Sequence, residues 1–473
     1  MDFTAPLASA FHVLCRNGTQ LPKADLERTL GIDSHNPTWT ALRNLFGRPW
    51  FSRVWVVQEV VYGRDPVFLL GKRAVAWDQL ASVASRLFDQ VLFQLLEHDV
   101  QHPESKLRYP VGVQSIAEIQ HAREIKRLRK HESLQQILLE FHHFGATNAK
   151  DKIYALMGLA TDALHDAVLD PTYGKLVSVE QVYTDVAQHL LLRDQSVLIL
   201  QRAGVGFGNR NASLPSWVPD WRAFADDNCF GSIHGITGYQ AGLDHASGAR
   251  LKVSDPTGRT LVVEGLIVDE VRQVGSVRVP LPDDTHEASL RHVIDDGAWL
   301  SETWGTMEAL KRRMRAGALP RIAAGDSTID MLEEALCRTI VANFSFLHPQ
   351  TPTQYCKVWR KYVQELSYGP QYPLSEMTEQ TWKGVMGFDI ACTRATMGRR
   401  LFATENGLMG LTGPDTRPGD SIAIILGGKT PFLIRSDNNS SPGPWTLVGE
   451  AYIHGMMNGE ALDLNNVIEI ELV

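Results

Sequence analysis

Residues 48–61 read Arg48-Pro-Trp-Phe-Ser-Arg-Val-Trp-Val-Val-Gln-Glu-Val-Val61. Pro49 suits a first helical turn, where its missing N–H costs nothing, and Trp50, Val54, Val57 and Val61 then recur at helical spacing. Trp55 and Glu59, four residues apart, therefore share the opposite flank. The spacing predicts a helix with an apolar face turned inward and an indole–carboxylate pair at the edge of a pocket. Two readings of Glu59 stand side by side. It is a candidate catalytic carboxylate in a site lined by Trp55, or a structural anion that pairs with Arg48 or Arg53 and fixes the helix end.

Outward from this helix, Pro66-Val-Phe-Leu-Leu-Gly71 reads as a short buried strand, and Val75 to Leu96 as an amphipathic helix with Leu80, Val83, Leu87, Val91 and Leu95 on one face. Helix, strand and helix in succession suggest part of an α/β unit. One helical stretch is expected from Ile116 to the His142-His143 turn, where adjacent histidines diverge and make a poor metal site. Asp151 is expected to cap or open a helix over Ile153–Leu159, and Val179–Leu192 reads as another amphipathic helix. Pro215 and Pro219 force extended backbone around Trp217 and Trp221, which predicts a hydrophobic clasp between layers, with a ligand-stacking face as the alternative.

Short β-like runs over 225–290, including Arg259–Gly265 and Ile267-Val268, precede a largely helical stretch from about 287 to 400. Beyond Arg400, six short apolar runs alternate with turn dipeptides such as Gly427-Gly428. They predict a small β-barrel or sandwich that packs with the β runs of 225–290. The expected class is α+β, divided into 1–200, 201–290 (the Trp/Pro clasp and small β unit), 291–399 (helical) and 400–473 (β module).

The formal charge of −8 and the acidic neighbours of the basic residues between His121 and His131 argue against a nucleic-acid partner. Five cysteines, at 15, 229, 337, 356 and 392, form no CxxC pair or metal-ligand spacing, so neither a disulfide nor a metal site is expected. Reduced thiols, no secretory signal and no run approaching eighteen apolar residues together predict a cytoplasmic protein without a membrane span.

Several motifs occur in a fixed order: Arg48-x-Trp-Phe-x-Arg-Val-Trp-Val-Val-Gln-Glu59, then Asp151-Lys-Ile-Tyr-Ala-Leu-Met-Gly-Leu159, Asp170-Pro-Thr-Tyr173 and Leu214-Pro-Ser-Trp-Val-Pro-Asp-Trp221. Arg400-Leu-Phe402, Pro418-Gly-Asp420 and Gly449-Glu-Ala-Tyr-Ile-His-Gly455 follow. The series, covering about two-thirds of the chain, resembles the fungal heterokaryon-incompatibility (HET) domain and the long C-terminal region that accompanies it. The family's opening Ser-Tyr-x-Trp-Gly strand and its Cys-Ile-Asn-Gln motif have no counterpart in the 47 residues before Arg48. The resemblance therefore implies a HET domain without its usual N-terminal half, a partial TIR-like α/β remnant.

No GxGxxG, Walker loop, HExxH, GxSxG or kinase signature is present, and no cofactor is implied. The leading function implied by the resemblance is non-self recognition and regulated cell death, exercised mainly as an interaction module toward a protein partner, another HET protein or a second copy. HET domains resemble the TIR fold, whose enzymatic members cleave NAD with a glutamate on a Trp-x-x-x-Glu helix. Trp55-x-x-x-Glu59 matches that pattern, with NAD entering only as substrate and the carboxylate stabilising oxocarbenium charge on the ribose. A third reading is an accessory protein or catalyst in a fungal secondary-metabolite pathway.

Overall fold

The computed structural model describes residues 11, 37–89, 111–163, 166, 169–174, 177–206, 210–222, 230, 238–243, 251–254, 258–279, 288–316, 329–343, 352–367, 379–436 and 444–473. The chain forms two compact units, Met1–Gly174 and Lys175–Val473.

In the first unit, helix α1 (Pro37–Phe46) leads through a 3-10 turn (Pro49–Ser52) into α2 (Val54–Tyr62). The helix expected from Pro49 is thus split. Arg53 is extended (φ −83°, ψ 126°) and bridges to Gly145, whose carbonyl accepts from Val54 N at 2.9 Å. This tertiary bond replaces the helical one at the break. Trp50, expected to pack inward on the helix, instead sits half-buried on the turn, edge-on to Phe51 and Phe68 at 5.1 and 4.8 Å.

Next come β1 (Val67–Leu70) and β2 (Arg73–Ala76), an antiparallel hairpin, and then α3 (Trp77–Asp89). The strand expected to be buried is exposed on one face. Val67 and Leu69 are 56% and 74% exposed, because alternation on a hairpin turns Leu70 inward and these two outward. Residues 75 and 76, read as the start of a helix, instead end β2 and complete the hairpin; Val91 and Leu95 lie outside the described residues.

The helix expected over Ile116–His143 is two helices, α4 (Val111–Arg127) and α5 (Leu134–Glu140). Arg129 adopts a left-handed conformation (φ 54°), and Ser133 opens α5 with a reciprocal capping box to Gln136. Helix α6 (Asp151–Met157) follows, with Lys150 at the N-cap and Asp151 as its first residue.

The second unit begins with α7 (Val179–Asp194), capped by Ser178 Oγ accepting from Gln181 N at 3.0 Å. Strands β3 (Lys252–Val253) and β4 (Leu261–Val277) precede the helices α8 (Ala288–Arg315), α9 (Ile329–Thr339), α10 (Pro352–Ser367) and α11 (Glu379–Thr396). Six strands end the chain: β5 (Arg400–Thr404), β6 (Met409–Thr412), β7 (Ser421–Ile425), β8 (Phe432–Ser436), β9 (Trp445–Ile453) and β10 (Ile468–Leu472).

Strands β4, β5, β6, β9, β8 and β7 pair in that order, and β7 returns to β4, which closes a barrel. The short runs expected near 259–268 are one 17-residue strand, β4. Register shifts at Ile267/Asp269, Val271/Gln273 and Val274/Val277 bend it, so that β4 pairs with β10, β7 and β5 along its length. Closure leaves no open edge in the ring. Val271, Phe402, Ile422, Leu433, Val448, Ala451 and Ile453 form its core.

The expectation of unpaired thiols is overturned: Cys337 on α9 and Cys356 on α10, both buried, form a disulfide with Cα atoms 5.9 Å apart. Their 19-residue separation matches no spacing rule, and the packing of the two helices brings them together. Cys392, on α11, is buried, and its Sγ accepts from Arg278 Nη1 at 3.6 Å.

Candidate functional site

Successive helical residues turn by about 100°. On α2 this groups Val54, Val56, Val57, Val60 and Val61 into the buried arc and leaves Trp55, Gln58, Glu59 and Tyr62 on the outer one. The outer arc has two flanks. On one, Trp55 Nε1 donates to Asp151 Oδ2 at 3.0 Å and, seven residues on, Tyr62 donates to the carbonyl of Gly158. Residues 151 and 158 are also seven apart, so α2 and α6 are joined at two levels separated by two turns. Gln58 lies between those levels, against Gly158, where an added Cβ would meet its Nε2 at 2.8 Å.

Asp151 is the hub. Its other oxygen, Oδ1, accepts from Tyr173 OH at 2.8 Å. The Tyr173 ring packs edge-on against Tyr154 at 5.2 Å, and Tyr154 OH accepts from Thr172 N at 3.1 Å. Lys150 Nζ donates to the carbonyls of Thr172 and Gly174 at 2.9 and 3.4 Å. Three motifs far apart in sequence therefore meet at one carboxylate. Desolvation of the Tyr173 hydroxyl, together with the bond it donates to Asp151, pushes its pKa up to about 12 and keeps it a donor.

Glu59 occupies the other flank, exposed, and no ion pair or side-chain hydrogen bond joins it to Arg48, Arg53 or any other described residue. Trp55 is 37% exposed beside it. Trp55 and Glu59 both lie on the outer arc of α2 but on different flanks of it, and the indole nitrogen is committed to Asp151.

Buried cations close the helix ends around this surface. Arg123 donates to the carbonyls of Val60, in the last turn of α2, and of Gly63 just beyond it, the latter at 3.0 Å, and Lys152 donates to those of His142 and Phe144 beyond α5. These carbonyls have no helical donor of their own. The two histidines diverge: His142 Nδ1 meets the carbonyl of Leu139 at 2.8 Å, and His143 Nε2 lies 3.2 Å from Glu118.

In the second unit, Leu214–Trp221 fastens α7 to the barrel. Ser216 N donates to the carbonyl of Val473 at 2.8 Å, Ser216 Oγ accepts from Leu447 N at 2.9 Å, and Trp217 Nε1 donates to the carbonyl of Arg259 at 2.8 Å. Asp220 and Glu180 share Arg222, at 2.9 and 2.7 Å, and Trp221 packs edge-on against Tyr183 of α7. Both indoles are buried, as a clasp requires. Gly204 and Gly206 lie so close to Val448 that no side chain fits, and Val205 N and Gly206 N donate to Leu447 and Val448; these glycines extend the barrel wall.

The roles of Asp151, Tyr173 and Glu450 escape a reading by spacing, although all three stand within the quoted motifs. Aspartate opening a helix reads first as a cap, and nothing local reveals a partner 96 residues away. Glu450, buried on β9, accepts from Phe230 N at 2.6 Å and from Thr430 Oγ1 at 3.4 Å. Among the described residues no group of three or more metal-ligating side chains is assembled, and no helix is long and apolar enough to cross a membrane.

The Het-6 beta-barrel domain family matches residues 326–473, the segment that holds α9 to α11 and β5 to β10. The chain is 22% identical over 463 residues to "Heterokaryon incompatibility protein 6, OR allele" of Neurospora crassa, covering 88% of this chain and 65% of that protein, so it spans just under two thirds of that relative's length. No solved structure matches. The barrel match, the long alignment and the ordered motifs around Asp151 converge on a likeness to fungal heterokaryon-incompatibility (HET) proteins.

Proposed function

We propose that this protein acts in fungal non-self recognition and the regulated cell death tied to it, in the cytoplasm, mainly as an interaction module. On this reading the first unit is a TIR-like remnant whose α2 meets a protein partner, either another HET protein or a second copy. The observation that carries it is the outer arc of α2. Trp55 and Tyr62 are held by hydrogen bonds to α6 while their rings stay exposed, and Glu59 stands on open surface beside them. Pre-organised, exposed aromatic side chains suit a protein contact, whereas NAD cleavage needs a substrate positioned and enclosed around the carboxylate.

Purified protein incubated with NAD and followed for nicotinamide release tests the reading, beside paired fungal strains expressing wild type or Trp55→Ala and scored for growth arrest. No release, with growth arrest weakened by Trp55→Ala, is the expected outcome. Release that disappears in a folded Glu59→Ala variant would assign the protein to NAD glycohydrolysis instead.

A further inference from the structure

The partner chemistry can be narrowed from the same surface, on the basis of the interaction-module reading. Asp151 is a carboxylate whose two oxygens accept from Trp55 Nε1 and Tyr173 OH, both neutral donors. No cation pairs with it among the described residues. The adjacent lysines are turned away, Lys150 to the carbonyls of Thr172 and Gly174, and Lys152 to those of His142 and Phe144. Among the described residues the negative charge therefore meets two neutral aromatic donors and no cation.

Both rings are accessible: Trp55 is 37% and Tyr173 53% exposed. An indole or phenol that donates its proton to an anion is polarised toward the ring, which strengthens the negative face that attracts cations. The same helix already displays this chemistry, since Lys126 Nζ lies over the ring of Tyr62, two turns along from Trp55. No cation occupies the faces of Trp55 or Tyr173 among the described residues. Glu59, exposed one turn along the same helix from Trp55, adds a second negative charge to the outer arc.

We propose that Trp55, Tyr173 and Asp151 form a recognition surface for a basic side chain, arginine or lysine, carried on an exposed segment of the protein partner. The cation lies on the aromatic faces, and Asp151 with Glu59 supplies the complementary charge.

The test uses the full chain and a fluorescent arginine-containing peptide, with a citrulline version of the same peptide as the uncharged control, in binding titrations at fixed salt. Wild type binds the arginine peptide and discriminates against citrulline. Trp55→Ala and Tyr173→Leu each weaken arginine binding about two- to fivefold, the range for one exposed cation–π contact. Tyr173→Phe retains most of the binding, and Glu469→Gln, on the second unit, leaves it unchanged and so controls for net charge. Asp151→Asn weakens it further. Should that variant fail to fold, the contrast between Tyr173→Leu and Tyr173→Phe decides. Equal binding by folded wild type, Trp55→Ala and Tyr173→Leu overturns the proposal, as does equal affinity for the two peptides. Nicotinamide release, measured on the same preparations, reports separately on the underlying reading: failed peptide discrimination without release sinks only the cation assignment.

Discussion

Glu450 shows what a single residue carries in this fold. It is buried on β9, and burial pushes its carboxyl from the ordinary 4.5 up to about 7, against the pull of Arg399, the Phe230 amide and Arg202. The folded state thus holds this proton more tightly than the unfolded chain. The stabilisation from the proton is fully present below about pH 4.5 and is lost as pH rises through about 7. Urea midpoints at pH 5 and pH 8 should fall more for wild type than for Glu450→Gln, and parallel changes in the two proteins would refute the assignment. Trp217 is the second case at this scale. It is fully buried and its Nε1 is bonded to Arg259, so Trp217→Ala should cost about 3–5 kcal/mol in equilibrium unfolding of the second unit. That burial was legible in the sequence, because prolines at 215 and 219 restrict the backbone that presents the ring. The role of Asp151 was not, since hydrogen-bond partners 96 and 22 residues away leave no local trace.

At the level of elements, local chemistry and tertiary contacts compete for the same backbone. The capping box at Ser133 is local: its hydroxyl accepts from Gln136 N and the Gln136 side chain accepts from Ser133 N. Ser133→Ala should cost about 1 kcal/mol and fray α5, measured by denaturation and by amide exchange at Leu134–Gln136. Unchanged exchange there would show that tertiary packing alone holds the end. Lys152 acts through space. Its ammonium is buried and serves the carbonyls of His142 and Phe144, so Lys152→Met should destabilise the first unit by about 1–3 kcal/mol, the cost of orphaned buried acceptors. A variant as stable as wild type would mean that water replaces the ammonium. The break between the 3-10 turn and α2 belongs to the same class: the Arg53–Gly145 bridge outcompetes a helical continuation that the apolar spacing favours.

For the whole molecule, the covalent link and barrel closure matter most. The disulfide between α9 and α10 closes a loop of 19-residue separation, for which chain-entropy arguments give roughly 3 kcal/mol. Dithiothreitol should lower the denaturation midpoint of wild type and leave that of Cys337→Ser unaffected; equal sensitivity would place the effect elsewhere. What the sequence by itself determined is what short-range physics controls. The alternating apolar runs named the six strands after Arg400, helical spacing set the inner valines of α2, and turn residues marked the ends of the β module. Only the tertiary structure decided the path of β4 as one bent strand shared by four neighbours, the pairing of two cysteines with no recognised spacing, and the meeting of Trp55, Asp151 and Tyr173. The physical reason is common to all three. Periodicity records which face of an element is apolar, whereas a pairing between distant residues depends on how those faces are brought together, and that is settled by packing across the whole unit.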